Sequence, residues 1–177
     1  MPHYRKHGKL LNPLTIQQFV HDAALIKNKR QQAFAVLLYF TGLRRNEVVR
    51  AVKEQFQVTD GLLIFDVGPR EKTKHVTPPL QLPLELPLMD NVVHVIKYTK
   101  KGERLFPFCS RTGYNIIDRY FNAYPHYFRL NRITQFLVEG FSLPEVMSWS
   151  GHKTFTGINQ YLGQVNITKL GKSLLNK

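Results

Sequence analysis

The sequence has little that could hold it together covalently. Cys109 is its only cysteine, so no intramolecular disulfide can form, and a reducing compartment is expected. Acidic residues are scarce: 12 Asp and Glu stand against 25 Lys and Arg, a net charge of +13. Such an excess points to a polyanionic partner, either nucleic acid or an anionic membrane surface. The membrane fits less well, because the basic residues do not lie opposite the apolar face of one long helix. Long hydrophobic runs are missing too; the longest, Ala33 to Phe40, is far too short to span a bilayer. The basic N-terminus, MPHYRKHGKLLNP, lacks the apolar stretch of a signal peptide. There is no HExxH and no Cys/His framework, and the spacing of His3 and His7 in a terminal segment does not make a metal site, so neither a metal nor a cofactor is expected. Repeats and low-complexity tracts are absent.

What remains suits a folded domain. The hydrophobic content of 43% argues against disorder, and 177 residues can bury a real core. Residues 1–13 read as a polar leader or linker. Thr15 and Gln18 form a capping box for a first helix with Ile16, Phe19, Val20 and Ala23 on its core face. Lys27, Lys29 and Arg30 read as a solvated junction. Residues 31–42 give a second helix, apolar nearly all round and therefore buried, which stops at Gly42. The character then changes to strand: Gln55–Thr59 and Leu62–Val67 flank the hairpin signal Asp60-Gly61, and a proline-bearing run from His75 to Leu84 suits an edge strand. Between them lies a basic loop, REKTK. Helices follow over residues 89–101 and from a cap at Ser110 or Thr112 to about Phe121.

The densest chemistry lies between His126 and Tyr161. His126 and Arg129, three apart in an apolar-periodic run, share one helix face. Gly140 ends that helix, and Ser142 with Glu145 caps a second, shorter one. Gly151 and His152 close it, and Tyr161 comes nine residues after His152. Two imidazoles, cationic groups and a phenol in one small helical module suit chemistry on an anion, with tyrosine as nucleophile.

This stretch resembles the second half of the catalytic domain of tyrosine recombinases, the phage-integrase family, of the kind found in archaeal and mobile-element integrases. The family pattern of His-x-x-Arg, Gly-His and a tyrosine nine residues on falls on His126, Arg129, Gly151–His152 and Tyr161. TGLRRNE resembles the family's first arginine box, which makes Arg44 the first catalytic arginine and Glu47 its support. The family also carries a catalytic lysine on a β-hairpin turn, for which Lys72 is the first candidate and Lys74 the second. Two flanking positions differ from the common pattern: Leu130 after the second arginine and Ser150 before Gly-His.

The resemblance implies an α+β fold, mostly helical, with a small three-stranded antiparallel sheet on one side. It implies a catalytic domain over residues 14–165 and a C-terminal tail over 166–177 that docks on a neighbouring subunit or on its own domain. It implies a site-specific recombinase or integrase that cleaves and rejoins duplex DNA through a 3′-phosphotyrosyl link on Tyr161 without metal or ATP, self-associating as a tetramer on DNA in the cytoplasm, at the nucleoid. Arg45, Lys74, Arg111, Arg119 and Arg132 are candidate DNA contacts. Type IB topoisomerase-like nicking and closing, or non-catalytic DNA binding on the same fold, are the alternatives. The chain leaves no room for the family's N-terminal core-binding domain, so a catalytic fragment or a minimal variant is expected.

Overall fold

A computed structural model describes residues 4–6, 9–11 and 14–158, apart from 71 and 73. The core forms around one helix. α1 (Ile16–Ala24) is capped by Thr15, whose hydroxyl accepts from the Gln18 N–H at 3.2 Å. α2 (Lys29–Thr41) is capped by Asn28 and ends at Gly42, whose φ of +61° is the left-handed conformation glycine adopts without strain. From Ala33 to Thr41 every residue of α2 is buried, as its all-round apolar sequence demands. The junction before it is solvated at Lys27 and Lys29, the latter opening α2, while Arg30 turns inward and its Nη1 donates to the Leu105 carbonyl at 2.6 Å. Phe19 and Tyr39 stack with centroids 3.9 Å apart, and Phe121 and Phe128 complete the cluster. Each such side chain, once buried, contributes about 1.5–3 kcal/mol relative to exposure.

α3 (Arg45–Val49) follows the Gly42 break and leads into the three-stranded antiparallel sheet β3–β4–β5 (Phe56–Thr59, Leu62–Phe65, Leu80–Pro83). Asp60 and Gly61 have φ of +46° and +74°, the two positive values that a tight right-twisting hairpin turn requires. Four further helices follow: α4 (Met89–Tyr98), α5 (Ser110–Phe121), α6 (Pro125–Glu139) and α7 (Leu143–Ser150). The N-cap of α5 is Cys109, with Ser110 already inside the helix. α7 starts with the expected capping box, the Ser142 N–H donating to the Glu145 carboxylate at 2.8 Å. The mostly helical α+β architecture with a small three-stranded sheet is the one the sequence led us to expect. Within residues 1–13, β1 (Tyr4–Lys6) and β2 (Lys9–Leu11) pair antiparallel. Among the described residues no helix is long and apolar enough to cross a membrane.

Candidate active site

Arg44, Lys72, His126 and Arg129, drawn from three separate parts of the chain, line one cleft of about 380 Å³. Arg44 is the N-cap of α3, placed there by the turn after Gly42. Glu47, one turn on, accepts from the Arg44 backbone N–H at 2.8 Å and from Arg44 Nη1 at 3.1 Å. The Glu47 side chain is 3% exposed and that of Arg44 19%, so the carboxylate is an inner support and the guanidinium faces outward.

Arg129, on α6, is the most enclosed of the set at 1% exposure. Its Nη1 donates to the Gly42 carbonyl at 3.0 Å and its Nη2 to the Ser150 carbonyl at 2.9 Å. Two helix C-termini thus fix the guanidinium plane, as suits a cation near terminal carbonyls. Trp149 Nε1 donates to the Thr41 carbonyl at 2.7 Å and ties the end of α7 to the end of α2 beneath it.

His152 follows Gly151, the left-handed C-cap of α7. Arg129 Nη2 lies 3.4 Å from both ring nitrogens, which places it over the imidazole face. Desolvation, then Arg129 and the other nearby cations, push the His152 pKa down to about 3, so the ring is neutral at ordinary pH. Ser150 Oγ lies 2.7 Å from Nδ1. A serine hydroxyl donating there leaves the ring proton on Nε2, and Ser150, a departure from the common pattern in sequence, is thus within hydrogen-bond reach of the imidazole. His126 sits in the first turn of α6 at the cleft edge. The residue is exposed, and desolvation, then Arg129, Arg44 and Lys72, lower its pKa from the usual value.

The two hairpin lysines part company. Lys72 is exposed and borders the Arg44–Arg129 cleft, whereas Lys74 lines a separate depression with Asn46, Arg50 and Gln55. Arg70, in the same turn, runs inward and is fully buried, which the charged sequence around it did not signal. Arg111 and Arg119 are exposed on α5. Arg45 and Arg111 bracket Tyr114, their guanidinium carbons 5.8 and 5.4 Å from its ring centre, and Arg45 and Tyr114 line the cleft.

Arg132 is a correction. It was expected among the DNA contacts but is 7% exposed, packed over the rings of Tyr39, Phe40 and Phe136, and bonded to the Tyr39 carbonyl. Its cation is spent on the core. Tyr161, the C-terminal tail and His3 and His7 lie outside the described residues. Among the described residues no group of three or more His, Cys, Asp or Glu side chains is placed to hold a metal ion.

The fold is that of the recombinase and integrase catalytic domains. The structure superposes on the XerH site-specific recombinase bound to a palindromic difH substrate with a TM-score of 0.69 at 19% identity, over 93% of this chain and 52% of that one. It superposes on XerA recombinase with a TM-score of 0.67 at 15% identity, over 99% and 65% of the two chains. With the catalytic domain of bacteriophage HP1 integrase the TM-score is 0.59 at 19% identity, over 86% of both chains. In sequence, the chain is 26% identical over 148 residues to the TnP I resolvase of Bacillus thuringiensis, covering 78% of this chain and 51% of that protein. The chain therefore spans about half the length of this curated relative. No protein-family model matches it.

Proposed function

We propose that this chain is the catalytic part of a site-specific DNA recombinase or integrase of the tyrosine type, acting on duplex DNA as a self-associating assembly at the nucleoid. One observation carries the reading: Arg44, Lys72, His126 and Arg129 line a single cleft, with His152 seated against Arg129, on a recombinase–integrase fold. The net charge of +13 supports a DNA partner.

Attack on a phosphodiester builds negative charge on the non-bridging oxygens. Arg44 and Arg129 neutralise it through guanidinium hydrogen bonds, and neutral His152 adds a donor from Nε2. The Tyr161 phenol, with an ordinary pKa of about 10, gives up its proton as it attacks phosphorus. His126 accepts that proton, its lowered pKa keeping it in the neutral, accepting form. As the bond from phosphorus to the 5′-oxygen breaks, Lys72 protonates the leaving oxygen. The products are a 3′-phosphotyrosyl link and a 5′-hydroxyl. Attack by a 5′-hydroxyl reverses the steps, so rejoining needs no ATP. Positioned charge, and not a metal, supplies the catalysis in this scheme.

The test is a nicked suicide duplex, with covalent protein–DNA adduct scored on a denaturing gel. The wild type forms adduct, while Tyr161→Phe binds the same DNA and forms none. Adduct from the Phe variant would assign the nucleophile elsewhere. DNA binding with no adduct from the wild type would leave a DNA-binding module only.

A further inference from the structure

Arg70 does something other than meet solvent. Its backbone closes the turn that carries Lys72: its N–H donates to the His75 carbonyl at 2.9 Å, and its carbonyl accepts from the Lys74 N–H at 2.9 Å. Its side chain then enters the interior and is fully buried. Nε donates to Thr77 Oγ1 at 3.2 Å and Nη2 to the Trp149 carbonyl at 2.7 Å. Nη1 lies 3.8 Å from Glu47 Oε2, without a hydrogen-bond partner among the described residues. Gly151 leaves room for it, since a Cβ there would come within 2.6 Å of the Arg70 Nε.

A buried guanidinium is a poor way to gain stability, because an apolar side chain of similar volume avoids the desolvation. Its contacts go to three parts of the site. Thr77 lies on the return limb of the Lys72 turn. Trp149 precedes Ser150, whose carbonyl holds Arg129 and whose hydroxyl meets His152. Glu47 holds Arg44. Charge matters as well. Glu47 alone would cancel the Arg44 charge toward an incoming anion, whereas two arginines around one carboxylate leave a net positive charge for it.

Resting on the recombinase reading, we propose that Arg70 is a positioning residue for strand cleavage. It sets the turn bearing Lys72 against the Glu47–Arg44 pair and the end of α7, and it balances Glu47 so that Arg44 keeps its charge for the scissile phosphate.

The experiment uses the full chain on two suicide duplexes that differ only in an oxygen or a sulfur at the bridging 5′ position. A sulfur leaving group needs no protonation, so the ratio of sulfur to oxygen single-turnover rates reports how well Lys72 is placed. That ratio does not depend on the fraction of protein that is folded. Arg70→Met is expected to slow the oxygen substrate and to raise the ratio about tenfold or more over wild type, a modest share of a typical general-acid effect. Arg70→Lys, which keeps a charge beside Glu47, should fall between the two. A ratio within about twofold of wild type in both variants overturns the proposal, since general-acid loss is far larger. Should Arg70→Met not fold, Arg70→Lys and Gly151→Ala, whose methyl displaces the guanidinium, are read by the same criterion. A wild type that forms no adduct on either substrate overturns the functional reading and this inference together; an active wild type with unchanged ratios overturns the role of Arg70 alone.

Discussion

Arg129 and Lys72 border the same cleft but are held in different ways. Arg129 is buried, pinned by carbonyls at the ends of α2 and α7, with His152 stacked on it. Lys72 stands exposed on a turn whose fixed point is the backbone and side chain of Arg70. One side of the cleft is preorganised by helix ends before any substrate arrives. The other is solvent-facing. Charge on the non-bridging oxygens is best met by donors that need no reorganisation, whereas a proton donor needs only to reach one leaving oxygen. The four predictions below test that division.

The largest effect belongs to the rigid side. Arg129→Lys keeps the charge but cannot bridge both carbonyls and present a planar donor. Single-turnover cleavage should fall about 100- to 1,000-fold, the range for loss of one oxyanion donor, while DNA affinity changes little. Near-wild-type cleavage would reduce the buried clamp to charge alone. The exposed side comes next. Lys72→Ala should slow cleavage of ordinary DNA by about 100-fold, near the low end for a general acid, and recover most of its rate on the 5′-thio substrate. Lys74→Ala, on the other depression, should change neither rate. Rescue of Lys74→Ala instead would exchange the two lysines' roles, and loss without rescue at Lys72 would leave the proton source elsewhere.

Ser150→Ala probes the rigid side more gently. Losing one hydrogen bond worth about 1 kcal/mol should slow cleavage roughly fivefold, with Ser150→Thr closer to wild type. Equal effects of both would show that the hydroxyl does not set the imidazole. The last prediction concerns stability. His152 has its pKa lowered from 6.5 to about 3, so over that window the unfolded chain binds more protons than the native one. Melting temperature should therefore decline as pH falls through the window, and less steeply in His152→Asn. Parallel pH profiles would mean the ring is not held neutral by its surroundings.

Much of this was legible in the sequence because the signals are local. Thr15, Ser142 and Gly140 mark helix ends by chemistry acting within one turn. Asp60-Gly61 fixes a hairpin, and the apolar run of α2 needs no partner to be read as core. The Arg44, His126–Arg129 and His152 positions follow from motif spacing, and the fold brings them to one place. What escaped depends on distant residues. Nothing in REKTK distinguishes Arg70 from its charged neighbours, because its acceptors come from Thr77 and Trp149 and its carboxylate from Glu47. Arg132 shares a helix face with Arg129, so periodicity alone groups them, yet the aromatic rings of α2 claim its guanidinium. The leader strands are three residues each, too short for alternation to show.

Gly42 and Gly151 have a consequence for any attempt to vary this protein. Both hold positive φ, and a Cβ at either would run into an arginine: Arg132 at 2.9 Å for Gly42 and Arg70 at 2.6 Å for Gly151. In a saturation library scored for DNA cleavage, these two positions should tolerate as little as the arginines themselves, although neither has a side chain to offer the reaction. A map of the active site drawn from intolerance alone would therefore be too wide, marking two helix-capping glycines as chemistry. Adding a binding or folding readout at each position would separate the side chains that the proposed reaction uses from the gaps that let those side chains sit where they do.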